Sequence, residues 1–131
     1  MNVRLTLSLP RDNASVPMAR RILSTTLTSA GVTEECRNDI LLALAEACAN
    51  AVAHAQPADR YQVMVSLDQV ECRIEVVDAG HGFDHQATPR GMPLLAEHGR
   101  GLHIIEAVSD GFDLRPNDPS GTLLSFVKRI A

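Results

Sequence analysis

Apolar and polar residues alternate through Val3, Leu5, Leu7 and Leu9, which is the period of a strand with one buried face. Pro10 ends that run. Ser15 is placed to cap a helix carrying Pro17 in its first turn. Ala19, Ile22, Leu23 and Leu27 make its inward stripe, Arg20 and Arg21 lie near its outer edge, and Gly31 is placed to stop it. Thr33 can cap a second helix, with Glu34 and Glu35 in the first turn favouring the helix dipole. Leu41, Leu44, Cys48 and Val52 repeat at helical spacing, and the helix should end near Ala55, just before Pro57. The opposite face carries Glu46, Asn50 and His54, each four residues after the last, so all three align.

Tyr61, Val63, Val65 and Leu67 alternate as a second strand, Asp68 to Val70 reads as a hairpin turn, and Arg73 to Asp78 as a third strand. From Ala79 to Arg100 periodicity is lost among Gly80, Gly82, Pro89, Gly91, Pro93 and Gly99, although Met92 to Glu97 can form a helical turn. A loop of that length is usually a functional one. Gly101 opens a helix with Leu102, Ile104, Ile105 and Val108 inward; a strand follows around Phe112 and Leu114. The segment from Asn117 to Gly121 is a turn, and Thr122 to Arg129 is the closing strand. Adjacent strand pairs favour hairpins. The expected architecture is a two-layer α/β sandwich in one domain over residues 1–131, its mostly antiparallel or mixed sheet covered on one face by helices.

The 131 residues are 45% hydrophobic and 21% charged, which suits a globular core, and the net charge of −4 leaves no basic footprint for direct nucleic-acid binding. Aromatic residues are only 3%, too few for base-stacking platforms. No stretch approaches the ~20 apolar residues of a membrane span, and the N-terminus has no signal-peptide pattern. Cys36, Cys48 and Cys72 are odd in number and widely spaced, as expected of reduced thiols in a cytoplasmic protein.

Three short blocks carry the chemistry. In the first, Glu46-Ala-Cys-Ala-Asn50, the carboxylate and the carboxamide share one helix face. Asn50 offers one neutral oxygen of the kind Mg²⁺ accepts alongside phosphates and water, and Glu46 is one turn away as a possible general base. The same two residues also suit the solvated side of an amphipathic helix. In the second block, Asp78-Ala-Gly80-His-Gly82, an acid ends an apolar strand. A buried carboxylate there needs a donor, for which an adenine amino group is suitable, while the glycines let backbone approach a ligand. A plain strand-ending turn fits the same letters. The third block, Gly99-Arg100-Gly101-Leu102, lies at a helix N-terminus, where free N–H groups favour phosphate, or is a glycine turn. Thr122, after Gly121, can join an adenine contact through water.

Among His81, His85, His98 and His103, His81 and His85 stand at HxxxH spacing, but in a segment without helical periodicity; no HExxH or GxSxG occurs, and the lack of a Walker GxxxxGK[ST] excludes a P-loop kinase. A methyltransferase reading of the DxGxG strand end leaves Glu46 and Asn50 idle and needs a larger sheet. In this order the blocks read as an ATP site.

In order and spacing they resemble those of the Bergerat-fold (GHKL) ATPases, the superfamily of gyrase, histidine kinases and related chaperones. Glu46 and Asn50 match its N box. Asp78 to Gly82 matches the first glycine box, Gly99 to Leu102 the second, and Gly121-Thr122 the last. Within it the chain is similar to the small anti-sigma factor serine kinases, through Glu-Ala-x-x-Asn-Ala-x-x-His from Glu46 to His54 and Gly-x-Gly-Leu-x-x-Ile-x-x-x-x-Asp from Gly99 to Asp110. The resemblance implies a histidine-kinase-like ATPase fold that sequesters an alternative sigma factor. It also implies phosphorylation of a serine on a STAS-type anti-anti-sigma protein with Mg-ATP. By match, Glu46 is the general base, Asn50 the Mg²⁺ ligand and Asp78 the adenine reader. Gly80, Gly82, Gly99, Arg100, Gly101, Leu102 and Thr122 shape the nucleotide site, and Arg20 touches the protein partners. The family usually forms homodimers through the first strand and helix. The alternative is a sigma-binding module of the same fold that binds nucleotide but transfers little or no phosphate.

Overall fold

The first strand is followed by two helices and a hairpin, and the chain then returns through one more helix and a second hairpin. In order these are β1 (Val3–Pro10), α1 (Ser15–Ser29), α2 (Glu34–His54), β2 (Arg60–Leu67), β3 (Glu71–Asp78), α3 (Arg100–Val108), β4 (Gly111–Pro116) and β5 (Thr122–Arg129). They come from a computed structural model that describes residues 2–54, 58–79, 100–116 and 121–131. The helical turn expected over Met92 to Glu97 and the turn at 117–120 lie outside the described residues.

The sheet order is β1-β2-β3-β5-β4, with every neighbouring pair antiparallel. Strand alternation decides which face is covered. Tyr61, Val63, Val65 and Leu67 of β2 are buried, as are Cys72, Ile74 and Val76 of β3 and Leu124 and Phe126 of β5, while their neighbours in sequence are more exposed. The helices pack on that face, α2 lying between α1 and α3 and reaching β3 and β5. Among the described residues no helix is long and apolar enough to cross a membrane.

Gly31 does what its position implies: at φ 80° it takes a left-handed conformation. Its N–H donates to the Thr28 carbonyl, and that of Val32 to the Leu27 carbonyl, both at 3.1 Å. These two bonds satisfy carbonyls that the end of α1 would leave open. Thr33 caps α2, its Oγ1 accepting the Cys36 N–H at 3.3 Å. Asp68 closes the β2–β3 hairpin, its carboxylate accepting the N–H groups of Val70 and Glu71 at 2.7 and 2.8 Å. Those backbone donors, that of Glu71 first, hold the Asp68 carboxyl below the usual carboxylate range.

Ser15 is not the cap of α1. It is the first helical residue and is completely buried. Its hydroxyl donates to the Asp12 carbonyl at 2.7 Å and lies 2.6 Å from the Tyr61 hydroxyl, while Asp12 Oδ1 accepts the Ser15 N–H at 3.1 Å. Burial settles the matter: a hydroxyl at 0% exposure must bond inward, and the exposed Asp12 is left to serve the helix end. The inward line of α2 also differs from the large-residue stripe. Ala43, Ala47 and Ala51 are buried with Leu44 and Cys48, whereas Val52 is half-buried.

Candidate functional site

The small residues on α2 have a consequence at the upper end of the sheet. Ala47 and Ala51 carry only methyl groups, so space remains between α2 and the strands below. Val76 of β3 and Leu124 of β5 floor that space. Four polar side chains close it: Asn50 and His54 from α2, Asp78 from the last position of β3 and Thr122 from the first of β5.

Gly121 makes the meeting of Asp78 and Thr122 possible. The β3–β5 ladder runs as far as Val77 opposite Leu123. Immediately beyond it, Gly121 has φ 98°, and a methyl group there would stand 2.0 Å from the Asp78 carbonyl oxygen and 2.9 Å from Ala79 Cα. Only a residue without a Cβ lets the two backbones pass this closely.

Asp78 and Thr122 are 6% and 5% exposed, in a pocket whose other walls are Asn50, His54 and the apolar Ala47, Ala51, Val76 and Leu124. A buried carboxylate needs a partner, and Asp78 engages one within the protein. Thr122 differs: its Oγ1 is buried and, among the described residues, has no hydrogen-bond partner. An orphaned hydroxyl costs about 1–3 kcal/mol, so a group that arrives later is its natural partner. A ligand with a polar edge and an apolar face meets both halves of this lining, which is what a purine offers.

Glu46 stands one turn before Asn50, at the N-terminal end of α3. A methyl group built on Gly101 would come within 3.2 Å of Glu46 Oε2. The bare glycine lets the helix start close over the carboxylate, so the free N–H groups of α3 and the Glu46 side chain share one corner. Leu102, predicted to touch nucleotide, is fully buried in the core. Its side chain anchors α3, and what it can offer a ligand is its N–H in the first turn. Arg100 begins α3. Gly80, Gly82 and Gly99 lie outside the described residues. Arg20 is exposed on α1 and does not line the pocket.

For a divalent ion the donor set is sparse. Among the described residues no three His, Cys, Asp or Glu side chains gather in a way that could hold a metal. Asn50 supplies one neutral oxygen, which fits Mg²⁺, an ion that takes its remaining ligands from phosphate and water. The thiols stand apart from this chemistry: burial pushes Cys48 and Cys72 up to about 12, so neither is an ionised nucleophile at neutral pH.

The sequence pattern brought forward Glu46, Asn50, Asp78 and Thr122, of which the last three line one pocket. It aligned His54 with Glu46 and Asn50 but gave it no task. The signal was present, because His54 continues the four-residue spacing of Glu46 and Asn50. The alanines on the sheet-facing side were also passed over, since they add little to a hydrophobic stripe.

A family model described as the histidine kinase-like ATPase domain matches residues 9–128. The serine-protein kinase RsbW of Bacillus licheniformis is 31% identical over 131 residues, a match covering 91% of this chain and 81% of that protein. The RsbW of Staphylococcus epidermidis is 30% identical over 135 residues, covering 93% and 84%. Among solved structures, the RsbU and RsbW domains of Rv1364c from Mycobacterium tuberculosis match with a TM-score of 0.75 at 21% identity. That match covers 98% of this chain but 32% of the other, so the chain spans about a third of that protein, and the likeness is one of fold.

Proposed function

The chain belongs to the histidine kinase-like ATPase family, among relatives of the RsbW serine-protein kinases, and from this we propose an anti-sigma factor that is also a protein-serine kinase. It captures an alternative sigma factor and uses Mg-ATP to phosphorylate a serine of a STAS-type anti-anti-sigma protein, and it works in the cytoplasm. The observation that supports this reading best is the convergence of Asn50, Asp78 and Thr122 on one pocket, with Glu46 one turn away against the start of α3.

Each residue has a task that follows from its chemistry. Asp78 accepts a hydrogen bond from the adenine amino group, and the Thr122 hydroxyl gains a partner on the same edge of the base, directly or through water. Ala47, Ala51, Val76 and Leu124 give the base a dry seat. Asn50 would hold Mg²⁺ by its carboxamide oxygen, and the ion, when bound, would supply charge neutralisation for the phosphates. Glu46 takes the proton of the incoming serine hydroxyl as that oxygen bonds to the terminal phosphorus and the bond to the ADP oxygen breaks. Gly101 keeps the first turn of α3 free of side chains beside that corner. Arg20, exposed on α1, is offered to protein partners.

A homodimer is part of the same proposal. The edge strand β1 pairs only with β2 among the described strands and leaves Val3, Leu5 and Leu7 half-buried.

The test mixes the purified protein with Mg-ATP and a STAS-type partner, and follows phosphoserine by mass spectrometry. Transfer by the native chain, and its loss in Glu46→Ala with ATP affinity retained, is the expected result. If the native chain binds ATP and captures a sigma factor but leaves the partner serine unmodified, the module without transfer is the better reading.

A further inference from the structure

Arg11 stands between β1 and α1, outside the pocket, and no part of the reading above uses it. It is half-buried, and its bonds reach far along the chain. Nη1 donates to the Val52 carbonyl at 3.1 Å and Nε to the Ala58 carbonyl at 2.8 Å, while its backbone N–H donates to the Asp59 carbonyl at 2.8 Å. Val52 lies in the last turn of α2, and Ala58 and Asp59 lead into β2. The last four carbonyls of a helix have no donor within it, and that of Val52 is one of them. A guanidinium there supplies the donor and sets a positive charge at the negative end of the helix dipole. Its rigid fork serves two carbonyls at once, a geometry that a lysine ammonium does not hold.

That last turn borders the site. Asn50, Ala51 and His54, three of the eight described residues that line the pocket, fall within the five residues that close α2. In an α-helix the Asn50 carbonyl bonds the N–H four residues on, so fraying of the last turn releases Asn50. Helix ends fray unless they are tied down. Arg11 is such a tie, and it is itself anchored: it follows the last residue of β1, and Asp12 beside it accepts the Ser15 N–H at the start of α1. We propose that Arg11 is a positioning residue for the phosphate end of the site, holding the last turn of α2 so that the Asn50 carboxamide is fixed in place. The proposal rests on the nucleotide reading of the pocket. Lys128 supplies a control, because it makes the same kind of contact to another helix: its Nζ donates at 3.0 Å to the carbonyl of Val108, the last residue of α3.

The native chain, Arg11→Ala, Arg11→Lys and Lys128→Met are compared by hydrogen-exchange mass spectrometry and by calorimetric titration with ATP, once with Mg²⁺ and once with EDTA. In Arg11→Ala, exchange is expected to quicken in peptides covering 50–54 while those of α1 and α3 keep native protection. Affinity for ATP with Mg²⁺ is expected to fall about tenfold, as loss of a group that orients a metal ligand does. Affinity in EDTA should fall much less, because Asp78 and Thr122 are untouched. Arg11→Lys, which keeps the charge, is expected to recover part of both losses. Lys128→Met should leave exchange at 50–54 and the gain from Mg²⁺ at native values. Native exchange at 50–54 in Arg11→Ala overturns the proposal while leaving the pocket reading intact. So does quickened exchange there with the gain from Mg²⁺ unchanged, since the turn would then not govern Asn50. Exchange quickened throughout the chain, or equal losses with Mg²⁺ and with EDTA, marks Arg11 as structural and contradicts the proposal. No recovery in Arg11→Lys contradicts it too, because a cation at the helix end would then be irrelevant. A native chain that binds ATP equally well in EDTA removes the metal role of Asn50 and overturns the proposal alone. A native chain that binds no ATP removes the pocket reading itself, and the proposal with it.

Discussion

The two ends of the sheet treat their polar groups in opposite ways. At the end holding the β2–β3 hairpin, most polar groups find partners within the chain, although the buried Ser109 hydroxyl has none among the described residues. Asp68 closes the hairpin, Thr33 caps α2, and the Asp110 carboxylate accepts the Arg129 N–H at 2.6 Å. Lys128 joins three elements, donating to Asp39 Oδ2 at 2.9 Å and to the last carbonyl of α3, that of Val108, at 3.0 Å. The Asp39 bond raises the Lys128 ammonium above its ordinary range. At the other end Gly121 brings two backbones too close for a Cβ, alanines leave a gap beside the strands, and the Thr122 hydroxyl, orphaned among the described residues, faces that gap. Folding alone does not reward that second arrangement. One end is scaffold and the other is kept incomplete for something that arrives from solution.

If this contrast is correct, substitutions at the two ends should separate stability from affinity. The largest effect is expected from Gly121→Ala, where a left-handed backbone and a 2.0 Å approach to the Asp78 carbonyl both oppose a side chain. Urea unfolding should show a loss of about 3 kcal/mol, with ATP binding abolished. Lys128→Met, at the scaffold end, leaves Asp39 and the Val108 carbonyl unpaired. It should cost about 1–2 kcal/mol in the same assay, with ATP affinity unchanged in calorimetry.

Thr122→Val sharpens the comparison most. Replacing an unsatisfied hydroxyl by a methyl of similar shape should leave the nucleotide-free protein as stable as before or more stable by about 1 kcal/mol. ATP affinity should nonetheless fall about tenfold, the size of one lost hydrogen bond. A destabilised free protein would mean that Thr122 already has a partner. The smallest effect is a pH dependence at the hairpin. The Asp68 carboxyl is held down in the folded state, so its contribution is present above its ordinary value of 3.8 and is lost as pH falls through the lower folded value. Asp68→Asn should flatten the acid limb of a stability curve there.

Much of the fold was legible because local rules and tertiary packing agree. Alternation placed β1 and β2, and Gly31 and Thr33 marked helix ends where their special conformation and cap are found. Ser15 misled because cap preference is a local rule, and burial against Tyr61 overrode it. The site was legible where a residue type is costly without a purpose, as with Asp78 at a strand end. It was hidden where the purpose is carried by absence. The alanines facing the sheet and the close approach that excludes a Cβ at Gly121 become meaningful only when α2, β3 and β5 are seen together.

The central claim is that the incomplete end is a nucleotide site read by Asp78. Calorimetric titration of the native chain and of Asp78→Asn with ATP and Mg²⁺, with melting curves for both, tests it most directly. The account predicts one-to-one binding by the native chain and none by the variant, at closely similar melting temperatures. Native-like ATP affinity in a folded Asp78→Asn variant would contradict it.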